Sequence, residues 1–214
     1  MHVLIAGGHG KIALELTDLL HERGDQVRSL IRNVDHASDV KNAGGAAVVL
    51  DLEATTDEEL DLVLTDIDAI VFAAGAGPGS SAERKDTVDH QGATLLIEAA
   101  KRIGVKRYVI VSSTGANPDH QGDEVFDAYL RAKGRADRDL AESGLDYTIV
   151  KPVHLNNGKG NRHVSVGERA EQPEIPREDV AGVLAEVLRV DSTIGKAFEV
   201  SRGDVSIKEA VASL

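Results

Sequence analysis

Tyr129 and Lys133 stand four residues apart in a stretch, 126–143, whose apolar spacing predicts a helix, so the phenol and the ammonium share one face. A tyrosine is a poor acid–base group at neutral pH because its ordinary pKa is about 10. A neighbouring ammonium favours the phenolate and brings the group toward working range. Upstream, a strand predicted over 108–111 runs into Ser112, Ser113 and Thr114. A hydroxyl from that strand end, Ser113 by preference, would hold a carbonyl or alcohol oxygen beside the tyrosine. Ser113, Tyr129 and Lys133 would thus pass a proton to or from an oxygen. The spacing of Tyr129 and Lys133 equally fits a half-buried helix tyrosine beside a surface lysine, so the rest of the chain must decide what the pair means.

The first two dozen residues supply a setting. His2-Val3-Leu4-Ile5-Ala6 is a short apolar run, Gly7-Gly8-His9-Gly10 a glycine turn, and Lys11 to Arg23 carries Ile12, Leu16, Leu19 and Leu20 at helical spacing. A strand running into a glycine turn that opens a helix aims backbone N–H groups and the positive helix end at one point, which suits a phosphate. The pattern Gly7-x-x-Gly10-x-x-Ala13 departs from the dinucleotide fingerprint Gly-x-Gly-x-x-Gly by moving the second glycine one place later. No Gly-Lys-Ser/Thr follows, which argues against a P-loop. A bare left-handed turn would carry the same glycines; their position between a strand and a helix is what speaks for a ligand.

A second strand over 26–31 ends at Arg32-Asn33. An acid at this point would take the ribose 2′-hydroxyl of NAD, whereas an arginine suits the 2′-phosphate of NADP. NADP is therefore the expected cofactor, with NAD possible, although a solvated arginine would look the same. Further strands are predicted over 46–50, leading to Asp51-Leu52, over 69–74, closed by Gly75-Ala76-Gly77-Pro78-Gly79, over 147–150, leading to Lys151-Pro152, and over 196–200. Helices are predicted over 53–66, 83–103 and 177–190. Apolar strands alternating with helices describe an α/β fold with a parallel sheet covered on both faces. From Val153 to Pro176 the periodicity stops, so a long loop is expected there, functional or mobile.

Composition narrows the function classes. A chain of 214 residues suits one generous domain. It has no cysteine, so disulfides, thiolate metal sites and a cysteine nucleophile are excluded. With 36 acidic against 24 basic residues, the net charge of −12 argues against nucleic-acid binding. No apolar run has the length of a signal peptide or a membrane span, and a cytoplasmic location is expected. The histidines lack metal-binding spacing, so no metal is expected.

Several of these segments together resemble a known family. Gly7-x-x-Gly10-x-x-Ala13, Asp51-Leu52, Ala73-Ala74-Gly75, Ser112-Ser113, Tyr129-x-x-x-Lys133 and Leu145 to Pro152 look like the atypical short-chain dehydrogenase/reductases. More narrowly, the chain is similar to small bacterial NAD(P)H-binding, epimerase/dehydratase-like proteins, and the likeness continues through Ile175 to Ala181. The resemblance implies a Rossmann-type doubly wound sheet in a single domain, 1–214, with 153–214 forming a minimal substrate-side portion. It implies that Gly7, His9, Gly10, Lys11 and Ile12 lie under the pyrophosphate, Arg32 at the adenosine ribose and Asp51 and Leu52 near adenine. Ala73, Ala74 and Gly75 would follow the central phosphates and ribose, with Ser112 and Pro152 also at the cofactor. Ser113, Tyr129 and Lys133 match the catalytic set, Lys133 also reaching the nicotinamide ribose.

The chain departs from the family pattern at two points: Ala13 replaces the third glycine, and Lys151-Pro152 stands where relatives commonly carry Arg-Pro, which keeps the charge but loses the guanidinium fork. The stretch after Pro152 is also short for a sugar-nucleotide lobe, so a smaller substrate is expected. The expected function is an NADP(H)-dependent oxidoreductase acting on a small carbonyl or alcohol. The alternatives are a non-catalytic NADP-binding regulator or redox sensor, and a flavin-type reductase working by direct hydride transfer. The expected partner is a small molecule whose identity the residues do not encode. No nucleic acid or membrane is expected, and the protein would be a monomer or small homo-oligomer.

Overall fold

β1 (His2–Ala6) sends alternate side chains to opposite faces of its sheet: Val3 and Ile5 enter one apolar cluster, Leu4 and Ala6 another, and all four are fully buried. Each fully buried leucine or isoleucine of this kind contributes roughly 1.5–3 kcal/mol. A strand that is apolar on both faces needs a helix layer on each, and the computed structural model, which describes residues 1–214, supplies them.

After β1 come α1 (Lys11–Glu22), β2 (Gln26–Ile31), α2 (Ala37–Asn42), β3 (Ala46–Val49), α3 (Asp57–Val63) and β4 (Ala69–Phe72). A short α4 (Ala82–Arg84) runs through a π-helical segment (Lys85–Gln91) into α5 (Gly92–Ile103), followed by β5 (Arg107–Val111), α6 (Val125–Ala141) and β6 (Asp146–Pro152). The remainder comprises β7 (His154–Asn156), β8 (His163–Gly167), β9 (Glu174–Pro176), α7 (Arg177–Val187), β10 (Lys196–Arg202), β11 (Val205–Ser206) and α8 (Ile207–Ala212).

Nine strands form one sheet in the order β11-β8-β10-β6-β5-β4-β1-β2-β3. Every pairing from β3 across to β10 is parallel, and β8 and β11 close the edge antiparallel. The chain steps outward from β1 to β3 and then returns to place β4 on the other flank of β1. That reversal opens a crevice beyond the carboxyl ends of β1 and β4, where doubly wound sheets bind ligands. α1, α7 and α8 cover one face through Leu16, Leu20, Val180, Leu184, Ile207 and Val211. α3, α5 and α6 cover the other through Leu60, Leu96, Ile97, Ala136 and Leu140.

The expected Rossmann-type sheet is thus present, with corrections of detail. The stretch 153–176 is not a structureless loop: it contains β7, β8 and β9, with β7 and β9 paired parallel as a separate ribbon, His154 opposite Glu174 and Leu155 opposite Ile175. β7 and β9 are three residues each, too short to establish a period-two pattern. The helix expected over 53–66 starts only at Asp57, behind a capping box in which Thr56 Oγ1 accepts from the Glu59 amide (3.3 Å) and the Glu59 carboxylate accepts from the Thr56 amide (3.1 Å). The helix expected over 83–103 is widened by a seven-residue π-helical segment. No helix is long and apolar enough to cross a membrane.

Candidate functional site

A cavity of about 540 Å³ lies at the carboxyl ends of β1, β2 and β4. The turn after β1 is in close contact with the loop after β4. Gly7 has φ +78°, and a Cβ there would lie 2.5 Å from the Cα of Ala74, so only glycine fits both the conformation and the approach. Gly8 is equally confined, since its Cβ would meet the Ser29 Cβ at 2.5 Å. Gly10, in extended conformation, precedes α1 and offers its first-turn amides no side-chain cap, and no acid stands in that turn. Those amides and the positive end of the helix are left for an anion arriving through the cavity.

The far end of the cavity is charged. Arg32, at the end of β2, is exposed, with Nη1 3.5 Å from a Glu53 carboxylate oxygen. Glu53 is held more closely by Arg84 (2.7 Å) and by the Thr87 hydroxyl (2.6 Å). The rings of His9 and His36 stack at 3.6 Å between centroids, and His9 Nε2 lies 2.8 Å from an Asp39 carboxylate oxygen. The cavity thus runs from the uncapped start of α1, past the small residues Ala73 to Gly77, to a group of charged side chains that includes Arg32, Glu53 and Arg84.

Of the residues expected to hold a cofactor, Gly7, His9, Gly10, Arg32, Asp51, Leu52, Ala73, Ala74 and Gly75 all line this cavity. Lys11 is exposed and Ile12 buried, and neither side chain lines it. Gly77, from the run of small residues that follows β4, lines it as well, as do His36, Glu53, Arg84 and Val88, which were not read from the sequence as cofactor residues. Arg84 and Val88 come from the helical run after β4, and no local spacing ties them to the glycine turn.

A second cavity, about 710 Å³, opens where the strand ends of β5 and β6 face α6. Here the structure brings Ser112, Ser113, Tyr129 and Pro152 to one space. The Ser113 hydroxyl donates to the Thr114 carbonyl (3.1 Å). Tyr129 is half-buried; its ring lies 5.7 Å from that of Phe126 and 5.4 Å from the Lys85 ammonium, which donates to the Gly77 carbonyl at 2.8 Å. Gly77 lines the first cavity and its neighbour Pro78 the second, so this loop borders both spaces.

Lys133 lines neither cavity. Its buried ammonium donates to the carbonyls of Val111 (3.0 Å) and Ala74 (3.4 Å) and lies 3.3 Å from Asp89, which is itself 1 % exposed. The other Asp89 oxygen accepts from the Ala76 amide at 3.0 Å. Burial works against the charge on Lys133, but Asp89 foremost, with Tyr129 and Asp137, outweighs it and holds the ammonium above its usual range. Lys133 thereby ties the end of β5 to the loop after β4. Behind it, Asp137 accepts from the Ser112 hydroxyl (2.8 Å) and pairs with Lys151 (3.0 Å), leaving one oxygen unpaired. Burial pushes that carboxyl up, against the pull of Lys151 and Ser112. The Lys151 charge is thus directed to Asp137, and the side chain does not line either cavity.

Residues 7–191 match the NAD(P)H-binding family. The chain is 34% identical over 215 residues to the sugar epimerase YhfK of Bacillus subtilis (strain 168), itself uncharacterised, with all of both chains covered. Among solved structures, a Bacillus halodurans protein provisionally named an NAD-dependent epimerase/dehydratase superposes with a TM-score of 0.91 at 38% identity, with 100% of each chain covered. The oxidoreductase YlbE of Lactococcus lactis gives 0.86 at 30% identity, covering 100% of this chain and 96% of that one. A Veillonella parvula short-chain dehydrogenase/reductase solved with NADP shares the fold, with a TM-score of 0.75 at 18% identity and 96% of each chain covered.

Proposed function

The chain belongs to the NAD(P)H-binding family, and on that footing we propose that it is an NADP(H)-dependent oxidoreductase acting on a small carbonyl or alcohol. The observation that carries this reading is that the loop at Gly77-Pro78 borders both cavities, with Ser113 and Tyr129 on the wall of the second. When bound, the reduced dinucleotide supplies a hydride to the substrate carbon. Ser113 orients the substrate oxygen, and Tyr129 delivers the proton that completes the alcohol. Lys133 holds Val111 and Ala74 at fixed separation and keeps a positive charge behind the tyrosine. The glycine turn and first turn of α1 hold the pyrophosphate. Arg32 meets the 2′-phosphate, and Glu53, already neutralised by Arg84, does not offer a free carboxylate to a bare ribose.

One observation favours a second reading, reduction by direct hydride transfer with the tyrosine dispensable: no hydrogen bond links the Tyr129 hydroxyl to Ser113 or to Lys133, whose ammonium is taken up by Asp89 and two carbonyls. Tyr129→Phe separates the two. Proton transfer by Tyr129 predicts a fall in turnover of about 100-fold or more, with NADPH affinity measured by calorimetry unchanged. Turnover within a factor of two of the parent would reject that role and leave direct transfer.

A further inference from the structure

The wall of the second cavity runs against the charge of the whole molecule. The chain carries a net charge of −12, yet no aspartate or glutamate lines this 710 Å³ space, whereas Lys85, Arg177 and His154 do. Neither Lys85 nor Arg177 is paired with a carboxylate. Lys85 donates to the Gly77 carbonyl, and Arg177 Nη1 to the Leu155 carbonyl (3.2 Å) and the Asn157 side-chain oxygen (2.9 Å). Arg177 is also the first residue of the eleven-residue α7, the end at which a helix disfavours a cation. The acids of that turn are directed elsewhere: Glu178 accepts from the Gly160 amide (2.8 Å) and Asp179 from the Arg162 amide (2.8 Å). In a strongly acidic protein, a concave wall with two unneutralised fixed cations concentrates anions.

Beside the hydroxyls of Ser112, Ser113 and Thr114, the wall also carries an apolar stretch from α6. Phe126 is 62% and Val125 46% exposed, both in the first turn of α6, and Phe126 continues the ring surface of Tyr129. Large exposed apolar groups beside a cavity mark a binding surface.

Resting on the reading that this cavity receives the substrate, we propose that the substrate is a carboxylate with a planar apolar body. The carboxylate is bound by Arg177 and Lys85, the body lies along Phe126, and the reacting oxygen is turned to Tyr129. A guanidinium offers a carboxylate two parallel donors, so Arg177 is the stronger anchor.

The test is calorimetry on the NADP-saturated protein with three probes of one shape: 2-naphthoate, 2-naphthylmethanol and 2-naphthylmethylamine. Naphthoate should bind about tenfold more tightly than the alcohol, with the amine weakest. Arg177→Gln should reduce naphthoate affinity about tenfold and leave the alcohol unmoved, and Arg177→Lys should recover part of the loss. Should Arg177→Gln fail to fold by thermal melt, Lys85→Gln carries the same expectation. Phe126→Ala should weaken naphthoate and alcohol alike. Alcohol or amine binding as tightly as the acid, acid affinity indifferent to Arg177 and Lys85, or no binding by any probe would each overturn the proposal. NADPH consumption with 6-formyl-2-naphthoate is read separately. Tight acid binding without turnover would reject the oxidoreductase reading and leave the anion-selective cavity standing.

Discussion

The two cavities lie side by side at one end of the sheet but are built from different materials. At the glycine turn the first is made of backbone: Gly7 lies against the Ala74 main chain, and the first-turn amides of α1 have no side-chain cap. The second is lined mainly by side chains that follow β5 and β6 or project from α6 and α7, among them Ser113, Phe126, Tyr129 and Arg177. A backbone site tolerates almost no change at its glycines, and it can serve any member of a family that uses one cofactor. A side-chain site can be rewritten residue by residue without disturbing the fold.

The sharpest way to break this contrast lies between the cavities. Asp89→Asn leaves the Lys133 charge buried without its anionic partner and should cost about 3 kcal/mol in urea unfolding at neutral pH. The pH dependence has a definite sign. Lys133 titrates above its ordinary 10.5 in the folded protein, so its stabilisation is complete below 10.5 and is lost as pH climbs through the folded value. The gap between parent and Asp89→Asn should therefore close in alkali; a gap constant from pH 8 to 11.5 would mean that the pair is not what Asp89 contributes.

Gly7→Ala comes next. A side chain at φ +78°, aimed at the Ala74 backbone, should cost about 1–3 kcal/mol, read as a lower melting temperature, and should also erase NADPH binding. Unimpaired binding would remove the glycine turn from the cofactor site. Arg32→Ala should then weaken NADPH by about tenfold while sparing NADH, as expected for one charge-assisted contact to a phosphate. Equal loss for both would show that Arg32 does not read the 2′-phosphate. The smallest effect is expected from Phe126→Ala, which should move stability by less than about 0.5 kcal/mol because the ring is mostly exposed. A larger loss would make the ring part of the core and not of the second cavity.

This difference in materials also explains what was legible in the sequence. The glycine turn, the strand ends at Arg32, Asp51 and Ala73, and the parallel core could all be read, because strand period, turn chemistry and helix spacing are local. Ser113 and Tyr129 could be proposed as partners from their strand and helix positions. The environment of Lys133 could not, since it depends on Asp89 arriving from a helix far along the chain. Arg177 and Phe126 gave no local sign of facing one space. The short strands β7 and β9 escaped because two triplets, paired with each other across an intervening stretch of chain, carry no periodicity.

The seven residues wound wide between α4 and α5 have a mechanical consequence. From this one coil Lys85 grips Gly77, Thr87 grips Glu53 and Asp89 grips both Ala76 and Lys133. The two cavities therefore share a single party wall: this coil holds Gly77 and Glu53 on the side of the first and presents Lys85 to the second.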